Sequence, residues 1–410
     1  MAQPFDFLVF SHLRWDFVFQ RPQHLLSRFA RSHRVIFIEE PIRDDRSPYW
    51  EFHSGGPNVI VCRPHTRIES PGFSPEQLDA IDGMMESLIQ ELKLENYVAW
   101  FYTPMALPLA QRITPKAVIY DCMDELSAFL GAPAELIDRE RELLKLADLV
   151  FTGGPSLYQA KQHRHPNVHC FPSSVDAAHY AKARPGMNDE AADQKHLPKP
   201  RIGYFGVIDE RLDYDLIRHL ASSRPEWQIA MVGPVVKVNP ELLPKLPNII
   251  WFGQRAYADL PSYISGWDVC MLPFARNRST QFISPTKTLE YMAAERMIVS
   301  TPIRDVAEPY GHIVFLGDSR DEFVAACDRA MDFKKAARQR RIRLMRDVLS
   351  RTSWDSTASR MLDLIENAVE KCGDVKEGVF VPAAATRGAG AAPHVVANAW
   401  GIPLGEAQGD

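Results

Sequence analysis

The sequence predicts an α/β protein with two doubly wound, parallel-sheet domains that face each other across a cleft. Short apolar runs alternate with amphipathic segments along most of the 410 residues, and this alternation is typical of parallel strands joined by helices. A polar stretch, residues 182–200, interrupts the pattern, which resumes at residue 201. A chain of this length accommodates two or three domains, so each half is expected to form its own sheet.

The first half begins with a strand, a helix and a second strand. The apolar run 5–10 predicts a buried strand, and residues 20–30 predict a helix because their leucine and phenylalanine side chains recur on one face. The run RVIFIE at 34–39 predicts the next strand. The remaining elements follow the same alternation, with strands at 58–62, 97–102, 117–120, 149–152 and 168–171 and helices at 75–94 and 135–147.

The second half repeats this order, which is typical of a second Rossmann-like sheet. Its predicted strands are 201–206, 228–233, 249–253, 269–273 and 298–301. Its predicted helices are 212–222, 260–265, 286–295, 323–348 and 356–371.

These elements divide the chain into five segments. Residues 1–181 form the first domain, 182–200 the linker and 201–350 the second domain. Residues 351–372 are expected to form a helix that packs back towards the first domain. The Ala/Gly-rich segment 373–410 is expected to be disordered.

Composition excludes several classes of function. The formal net charge is −5, which argues against a partner nucleic acid. The six cysteines show no CxxC pair and no zinc spacing, so reduced thiols are expected and neither a disulfide framework nor a structural zinc is predicted. The N-terminus lacks a signal-peptide pattern, and no apolar stretch approaches the ~20 residues that span a bilayer. The sequence therefore predicts a cytoplasmic protein, with peripheral contact at the inner face of the membrane as an alternative.

The strongest motif is the segment Ser284-Pro285-Thr286-Lys287, followed one helical turn later by Glu290. Ser284 or Thr286 can cap a helix, and proline suits its first turn. The unpaired amides of that turn, the helix dipole and the lysine charge would together form an anion site. A carboxylate at 290 could accept both hydroxyls of a ribose. An ordinary capped helix with a Lys/Glu pair is the alternative.

Gly206 and Arg211 follow the first predicted strand of the second half. A glycine at a strand end lets a ligand or another backbone approach closely. Arg211 would then lie at the edge of the cleft, where it could neutralise a departing diphosphate. A turn with a surface arginine is the alternative. The segment is not a GxGxxG motif, so a dehydrogenase loses support.

A similar loop follows the strand at 249–253. It contains Gly253, Gln254 and Arg255, with Tyr257 two residues further along. Backbone and side chains here could hold a base, with Arg255 or Tyr257 stacking on it. An ordinary loop explains any single residue equally well.

The loop after the first strand of the chain contains His12, Arg14, Trp15 and Asp16, and it should face the cleft. Trp15 could stack on a sugar. His12 could carry a proton or contact a hydroxyl, although a lone histidine is more often structural.

Two further features leave alternatives open. Asp121 and Asp124 follow a strand and could bind acceptor hydroxyls, act as a base or cap a helix, and their spacing does not require a metal. The basic run 334–346 could meet anionic lipid. A solvated helix face is the better explanation of that run.

Taken together, these residues resemble the GT-B-fold glycosyltransferases of family 4, in particular a bacterial exopolysaccharide branch. The resemblance covers about residues 5–370, and the segment that begins at Ser284 is its most specific part. It is carried by the stretches FSHLRWDFVFQRPQHLLSRFA, YDCMDELSAF, PSSVDAAHY, IGYFGVIDERLDYDLI and SPTKTLEYMAAERMIVST.

The resemblance implies retaining transfer from a nucleotide-diphosphate sugar, usually without a metal. It implies that Glu290 binds the ribose, that residues 284–286 supply diphosphate-binding amides and that Gly206 is the glycine at the cleft. Two positions depart from the family. Phe282 stands where a glutamate that contacts the donor sugar is common, and Asp213 stands where a lysine is common.

The prediction is therefore a glycosyltransferase that uses a UDP- or GDP-sugar as co-substrate. The acceptor would be a saccharide or a lipid-linked saccharide of cell-surface or exopolysaccharide synthesis, held by the first domain. His12, Arg211 and Lys287 are the predicted catalytic residues. A sugar-nucleotide epimerase, a phosphorylase and a catalytically degenerate scaffold in a polysaccharide assembly complex remain alternatives. The residues expected to contact acceptor or donor sugar are Arg14, Trp15, Asp16, Asp121, Asp124, Asn277 and Phe282.

Overall fold

The computed structural model describes residues 4–373, which form two α/β domains. Each domain contains a mainly parallel sheet with helices on its faces, which confirms the predicted fold class. The predicted tail, 373–410, lies outside the described residues except for Gly373, where the last helix ends.

The cleft between the domains lies beyond the central strands of the first sheet, which has nine strands in all. The strands are β1 (Asp6–Phe10), β2 (Val35–Ile38), β3 (Ile42–Arg43), β4 (Tyr49–Gly56), β5 (Val59–Thr66), β6 (Tyr97–Phe101), β7 (Val118–Cys122), β8 (Leu149–Thr152) and β9 (Val168–Cys170). The order is β3-β5-β2-β1-β6-β7-β8-β9, with β4 attached to β5. β1 lies parallel between β2 and β6, where strand order reverses. Ligands of such sheets bind beyond the carboxyl ends of the strands at this reversal.

One strand of the first sheet runs against the others. β4 pairs antiparallel with β5, so that Tyr49 lies opposite His65, and Asn58 adopts a left-handed φ of 58° at the turn between them. The sequence pattern predicts only one strand here. β4 mixes aromatic and polar residues and is at most half-buried because it lies at the sheet edge, so it lacks the apolar run by which a buried strand is recognised.

The second sheet has six strands, all parallel. They are β10 (Arg201–Phe205), β11 (Gln228–Val232), β12 (Ile249–Gly253), β13 (Val269–Leu272), β14 (Met297–Ser300) and β15 (Phe315–Leu316). Their order is β12-β11-β10-β13-β14-β15. The reversal therefore lies at β10, between β11 and β13, and the loop containing Gly206 follows it directly.

Twelve α-helices cover the sheets in the described part of the chain. They are α1 (Arg21–Phe29), α2 (Pro75–Glu91), α3 (Leu136–Leu146), α4 (Pro155–Lys161), α5 (Ala177–Ala181), α6 (Tyr214–Ser223), α7 (Leu260–Ser265), α8 (Lys287–Ala293), α9 (Arg304–Tyr310), α10 (Arg320–Met331), α11 (Lys335–Leu349) and α12 (Trp354–Gly373). Short 3-10 helices lie at Pro104–Arg112, Leu126–Ala128, Pro240–Leu242, Tyr257–Asp259 and Arg278–Thr280.

Two helices differ from the prediction. α8 begins at Lys287 and its N-cap, Thr286, has helical backbone angles and accepts no side-chain capping hydrogen bond, so hydroxyl capping by Thr286 was wrong. The predicted helix 323–348 is split into α10 and α11. The break follows Met331, where Phe333 turns inward and packs against the ring of Phe315.

The segment 182–200 packs along the second domain. The buried side chain of Gln194 donates to the carbonyls of Ser262 and Tyr263 and accepts from the indole of Trp267. At the other end of the second domain, α12 crosses back to the first. Trp354 stacks on His24 with ring centroids 4.8 Å apart, so the last helix belongs to the apolar core beneath the first sheet.

Apolar side chains cover both faces of the first sheet, and a separate cluster fills the second domain. Within the described residues, no helix is long and apolar enough to cross a membrane. The same part of the chain contains no group of three or more His, Cys, Asp or Glu residues arranged to hold a metal ion.

Candidate active site

A cavity of about 600 Å³ lies between the two domains, beyond the carboxyl ends of β1 and β10. Both domains line it, as expected at the reversal points of two doubly wound sheets. Nine of the predicted site residues border it, namely Trp15, Asp16, Gly206, Arg211, Gln254, Arg255, Thr286, Lys287 and Glu290.

The floor of the cavity contains glycines at the ends of adjacent strands. Gly206 has φ 133° and Gly233 has φ 146°, values that side chains with a Cβ rarely adopt. A Cβ on Gly233 would come within 1.9 Å of the carbonyl oxygen of Gly206. The amide of Gly233 donates to the carbonyl of Gly253 at 2.8 Å. The sequence pattern indicates Gly206 and Gly253 as site residues but not Gly233.

Lys287 occupies the space that Gly206 leaves. A Cβ at Gly206 would lie 2.0 Å from the Cε and 2.5 Å from the Nζ of this lysine. The ammonium also lies over the rings of Tyr204 and Phe205, 5.6 and 6.0 Å from their centroids. Burial lowers the pKa of Lys287, which Glu290 partly restores. The cavity therefore holds a desolvated cation at the start of α8.

Glu290 lies one turn into α8 and is buried beside the same cavity. Burial raises the pKa of its carboxyl from 4.5 to about 7, against the opposing effects of Lys287 and of a hydrogen bond from Tyr180. Tyr180 comes from α5, at the junction of the two domains. The carboxylate is therefore fixed in orientation and costly to ionise until a ligand supplies donors.

Arg211 contributes a second cation to the cavity wall. Its Nε lies 2.9 Å from Oδ1 of Asp209 and its Nη2 lies 2.6 Å from Oδ2 of the same carboxylate. Burial opposes the charge of Arg211, but the pair with Asp209 outweighs it and raises the arginine pKa. The guanidinium also lies over the ring of Phe129 in the first domain, so it reaches across the cleft.

The loop after β12 closes the opposite side of the cavity. The Nε2 of Gln254 donates to the carbonyl of Phe17 in the first domain at 2.6 Å. Arg255 is held by Asp193 and by the hydroxyl of Tyr263. These contacts fix the two predicted base-binding side chains near the loop that follows β1.

The aromatic side chain of Phe19 borders the cavity although the sequence did not indicate it, whereas its neighbour Tyr257 was predicted to stack on a base. Phe19 and Tyr257 lie with ring centroids 4.6 Å apart, and Tyr257 stacks on His179 at 4.0 Å. Phe19 is exposed, whereas His24 beneath it is buried. Phe19 directly precedes the helix predicted at 20–30, in the segment that joins it to the first strand, and this position is the signal by which the sequence could have indicated it.

Most side chains of the loop 12–16 contact the first domain and not the cavity. Arg14 does not border the cavity, because its guanidinium pairs with Glu39 at 3.0 Å. Trp15 borders it, yet its indole is 7% exposed, packs on Phe37 and donates to the carbonyl of Gly55. This leaves little ring face for stacking on a sugar. Asp16 borders the cavity with an exposed side chain, near His53.

His12 and Asp121 also lie away from the cavity. Burial, with a smaller contribution from Lys237, lowers the pKa of His12 to about 3. A group with that pKa is neutral at ordinary pH and unsuited to proton transfer. Both oxygens of Asp121 accept from Arg21, at 3.0 and 2.8 Å, and both side chains are at most 4% exposed. Asp121 is therefore occupied by an ion pair inside the first domain.

Asp124, Asn277 and Phe282 do not border the cavity either. Burial raises the pKa of Asp124 to about 6, against the pull of Arg211 across the cleft. Asn277 is exposed and donates to the carbonyl of Glu210. Phe282 packs against the apolar core of the first domain. Its ring therefore contributes to the contact between the domains.

The other residues predicted to bind the nucleotide lie next to the cavity without lining it. These are Gly253, at the end of β12, and the pair Ser284 and Pro285 that precedes α8. Ser284 instead faces the first domain near Gly154.

Comparison with known sequences bears on the second domain most directly. Residues 199–334 match the family described as Glycosyl transferases group 1. The chain is also 25% identical over 259 residues to TuaH of Bacillus subtilis (strain 168), which is provisionally named a teichuronic acid biosynthesis glycosyltransferase. That alignment covers 58% of this chain and 64% of TuaH, so the chain spans less than two thirds of its relative.

Comparison with solved structures bears on the fold. A trehalose-6-phosphate structure from E. coli, bound with UDP-2-fluoro glucose, superposes with a TM-score of 0.63 at 12% identity, covering 88% of this chain and 99% of that chain. Sucrose-phosphate synthase from Thermosynechococcus elongatus superposes with a TM-score of 0.63 at 14% identity, covering 90% and 100%. An α,α-trehalose-phosphate synthase from Burkholderia xenovorans, in complex with glucose-6-phosphate, gives 0.63 at 12% identity, covering 88% and 100%.

The comparisons relate the second domain to a glycosyltransferase family in sequence, and they relate the fold of both domains to solved structures such as sucrose-phosphate synthase. The two sheets of the chain adopt the GT-B arrangement, and residues 199–334 carry a glycosyl transferases group 1 domain. Membership of family 4 and of its exopolysaccharide branch stays a prediction.

Proposed function

We propose that the protein transfers a sugar, with retention of configuration, from a UDP- or GDP-sugar to a saccharide or lipid-linked acceptor of cell-surface polysaccharide synthesis. The observation that carries the proposal is the cavity wall of the second domain, where Lys287, Arg211 and Glu290 border one space beside Gly206. Two partly buried cations suit a diphosphate, and a fixed carboxylate suits a ribose. The relationship to TuaH and the group 1 domain support the substrate class.

In this proposal the nucleotide sugar lies along the second domain. Gly206 and Gly233 let its phosphates approach the backbone, while Lys287 and Arg211 stabilise the negative charge that develops on the departing diphosphate. The base would lie near Arg255 and Tyr257. No cofactor is required, because the nucleotide sugar is itself a co-substrate.

The acceptor would enter from the first domain, where the exposed carboxylate of Asp16 and the ring of Phe19 line the cavity. Contact between the domains would exclude water from the reacting centre and limit hydrolysis of the donor. We place the reaction in the cytoplasm. If the acceptor is lipid-linked, the protein would meet it at the inner face of the membrane, and the exposed Arg340 and Arg343 of α11 would favour anionic headgroups there.

Two other functions are less well supported. An epimerase needs acid and base groups around the sugar ring. The carboxylates that border the cavity, Asp16 and Glu290, come from opposite domains, and Phe282 packs elsewhere. A catalytically degenerate scaffold would retain the cavity without turnover, so it is separated from an enzyme by measurement of product release.

Binding of UDP, GDP, ADP and dTDP, measured by thermal shift and calorimetry, tests the proposal. We expect UDP or GDP to stabilise the protein, by about 2.7 kcal/mol at one hundred times Kd. Gly206→Ala should displace Lys287 and weaken that nucleotide at least about tenfold. Gly56→Ala is the matched control, because Gly56 has a similar φ of 123° and a Cβ there would meet nothing within 4 Å.

Stabilisation by none of the four nucleotides, or equal effects of the two glycine substitutions, would contradict the proposal. Slow release of UDP or GDP from the corresponding nucleotide sugar would support an enzyme. Binding without such release, tested together with cell-surface acceptors, would support the scaffold instead.

A further inference from the structure

A second contact joins the domains away from the cavity. Asp305, in α9 of the second domain, accepts from the backbone amide of Ser156 at 3.1 Å and from its hydroxyl at 3.0 Å. Ser156 belongs to α4 of the first domain. Asp305 is 5% exposed and Ser156 is 1% exposed. A buried carboxylate needs such donors, because leaving it unpaired costs the full desolvation penalty.

The first domain does not supply this cap itself. The N-cap of α4 is Gly154, which makes no side-chain capping bond. The acceptor for the first turn of α4 is therefore the carboxylate of Asp305, from the other domain. When the domains separate, both partners must be rehydrated. The contact consequently favours one specific arrangement of the two domains.

Gly154 also brings the first domain against the segment that precedes α8. A Cβ at this position would lie 2.3 Å from Oδ2 of Asp305 and 2.7 Å from the Cβ of Ser284. Any side chain here would push both groups away. Ser284 begins the segment that leads through Thr286 to Lys287, at the cavity wall. The backbone of the first domain thus packs on the start of the proposed diphosphate-binding segment.

We propose that Asp305, Ser156 and Gly154 are positioning residues, which place the segment from Ser284 to Lys287 only when the two domains are in contact. This inference rests on the proposed function for its catalytic consequence. None of the three residues borders the cavity, so they act through Ser284 and not on the substrate. The nucleotide would bind the second domain first, and the segment would reach its working position when α4 docks.

The test compares Asp305→Ala and Gly154→Ala with the wild type by three measurements. These are hydrogen exchange of the amides in 284–290 without ligand, calorimetric affinity for UDP and GDP, and release of those nucleotides from UDP-glucose and GDP-mannose. We expect faster exchange in 284–290 in both variants. We expect turnover to fall about tenfold, which is the order expected for losing a hydrogen bond to a charged group. Nucleotide affinity should change less than about threefold.

Two further variants guard against simple unfolding. Ser156→Thr retains the hydroxyl and should keep most of the turnover. Gln159→Ala removes the exposed hydrogen bond from Arg304 at 2.6 Å, which crosses the same interface, and should leave exchange and turnover unchanged.

The outcomes separate the two proposals. Unchanged exchange of 284–290 in Asp305→Ala and Gly154→Ala would overturn the positioning role, whatever the wild type does with nucleotides. Equal losses of turnover and nucleotide affinity, with a lowered melting temperature, would also overturn it. If the wild type binds neither UDP nor GDP, the proposed function fails, and the exchange measurement still decides whether the contact orders this segment.

Discussion

The two domains contribute to the cavity in different ways. In the second domain, strands end in glycines, and the cations Lys287 and Arg211 lie beside them on the cavity wall. In the first domain, polar residues that follow strands pair with one another. Arg14 is bound by Glu39, and Asp121 is bound by Arg21. A polar residue after a parallel strand therefore indicates a ligand site only where its side chain still borders the cavity, as that of Arg211 does despite its pair with Asp209.

The strongest way to test this difference is to break the ion pair of the first domain. Arg21→Ala should lower the free energy of unfolding by about 3–5 kcal/mol, because it leaves Asp121 buried and unpaired. Urea unfolding followed by tryptophan fluorescence measures this. Arg31→Ala is the control, because Arg31 is exposed in its pair with Asp355, and we expect no measurable change. Loss of UDP or GDP affinity without loss of stability would place Arg21 in the binding site instead.

Glu290→Gln tests a cavity residue whose charge opposes folding. The pKa of Glu290 is raised from 4.5 to about 7 by burial, so the folded state holds the proton more tightly and stability falls as pH rises between these values. Above pH 7 the ionised carboxyl lowers the free energy of unfolding by its full amount, about 3 kcal/mol. Glutamine carries no charge and so removes this destabilisation. The free energy of unfolding of the variant should therefore exceed that of the wild type by an amount that grows from pH 4.5 to 8.

The same variant should bind UDP or GDP more weakly and without the pH dependence of the wild type. The wild-type affinity should decline as pH falls through 7, because the protonated carboxyl accepts fewer hydrogen bonds from a ribose. Thermal melts and calorimetry across pH 4.5–8 measure both effects. A constant stability difference between variant and wild type would mean that Glu290 does not titrate in this range.

Lys287→Met removes the cavity cation and keeps most of the side-chain length. We expect about a hundredfold weaker binding of UDP or GDP, equivalent to about 2.7 kcal/mol. Lys245→Met is the control, since that lysine is exposed on the same domain and pairs with Glu241. Affinities that fall equally in both variants would indicate a general charge effect and not a site.

The smallest expected effect concerns the contact between the domains at the cavity. Gln254→Ala removes the hydrogen bond to the carbonyl of Phe17, which is worth about 1 kcal/mol. The equilibrium ratio of molecules with the domains in contact to molecules with the domains apart should therefore fall about fivefold. X-ray scattering would show this as a larger radius of gyration. Gln281→Ala, at an exposed position of the same domain, should leave the radius unchanged.

Much of the fold was predictable from the sequence because buried parallel strands are nearly continuous apolar runs. The existence of two sheets follows from such runs, whereas the strand order and its reversal points are seen only in the structure. The edge strand β4 was not predictable in this way, because it mixes aromatic and polar residues and ends in two glycines, which resembles a loop.

The candidate site was predictable where its signal is local. Thr286, Lys287 and Glu290 lie within one turn of α8 and share the cavity. Residues whose role depends on distant partners were not predictable. The pairing of Arg21 with Asp121 spans one hundred positions of the chain, and Phe19 meets Tyr257 across the cleft. No spacing rule in the sequence indicates such contacts.

The packing of Phe282 limits how this protein can be engineered. The residue occupies the position at which the family resemblance implies a contact to the donor sugar, yet its ring packs on the apolar core of the opposite domain. Redesign of donor preference at this position would introduce a polar side chain into that interface. Donor selectivity is therefore better altered at Val207 or Pro234, which line the cavity and do not pack into the first domain's core.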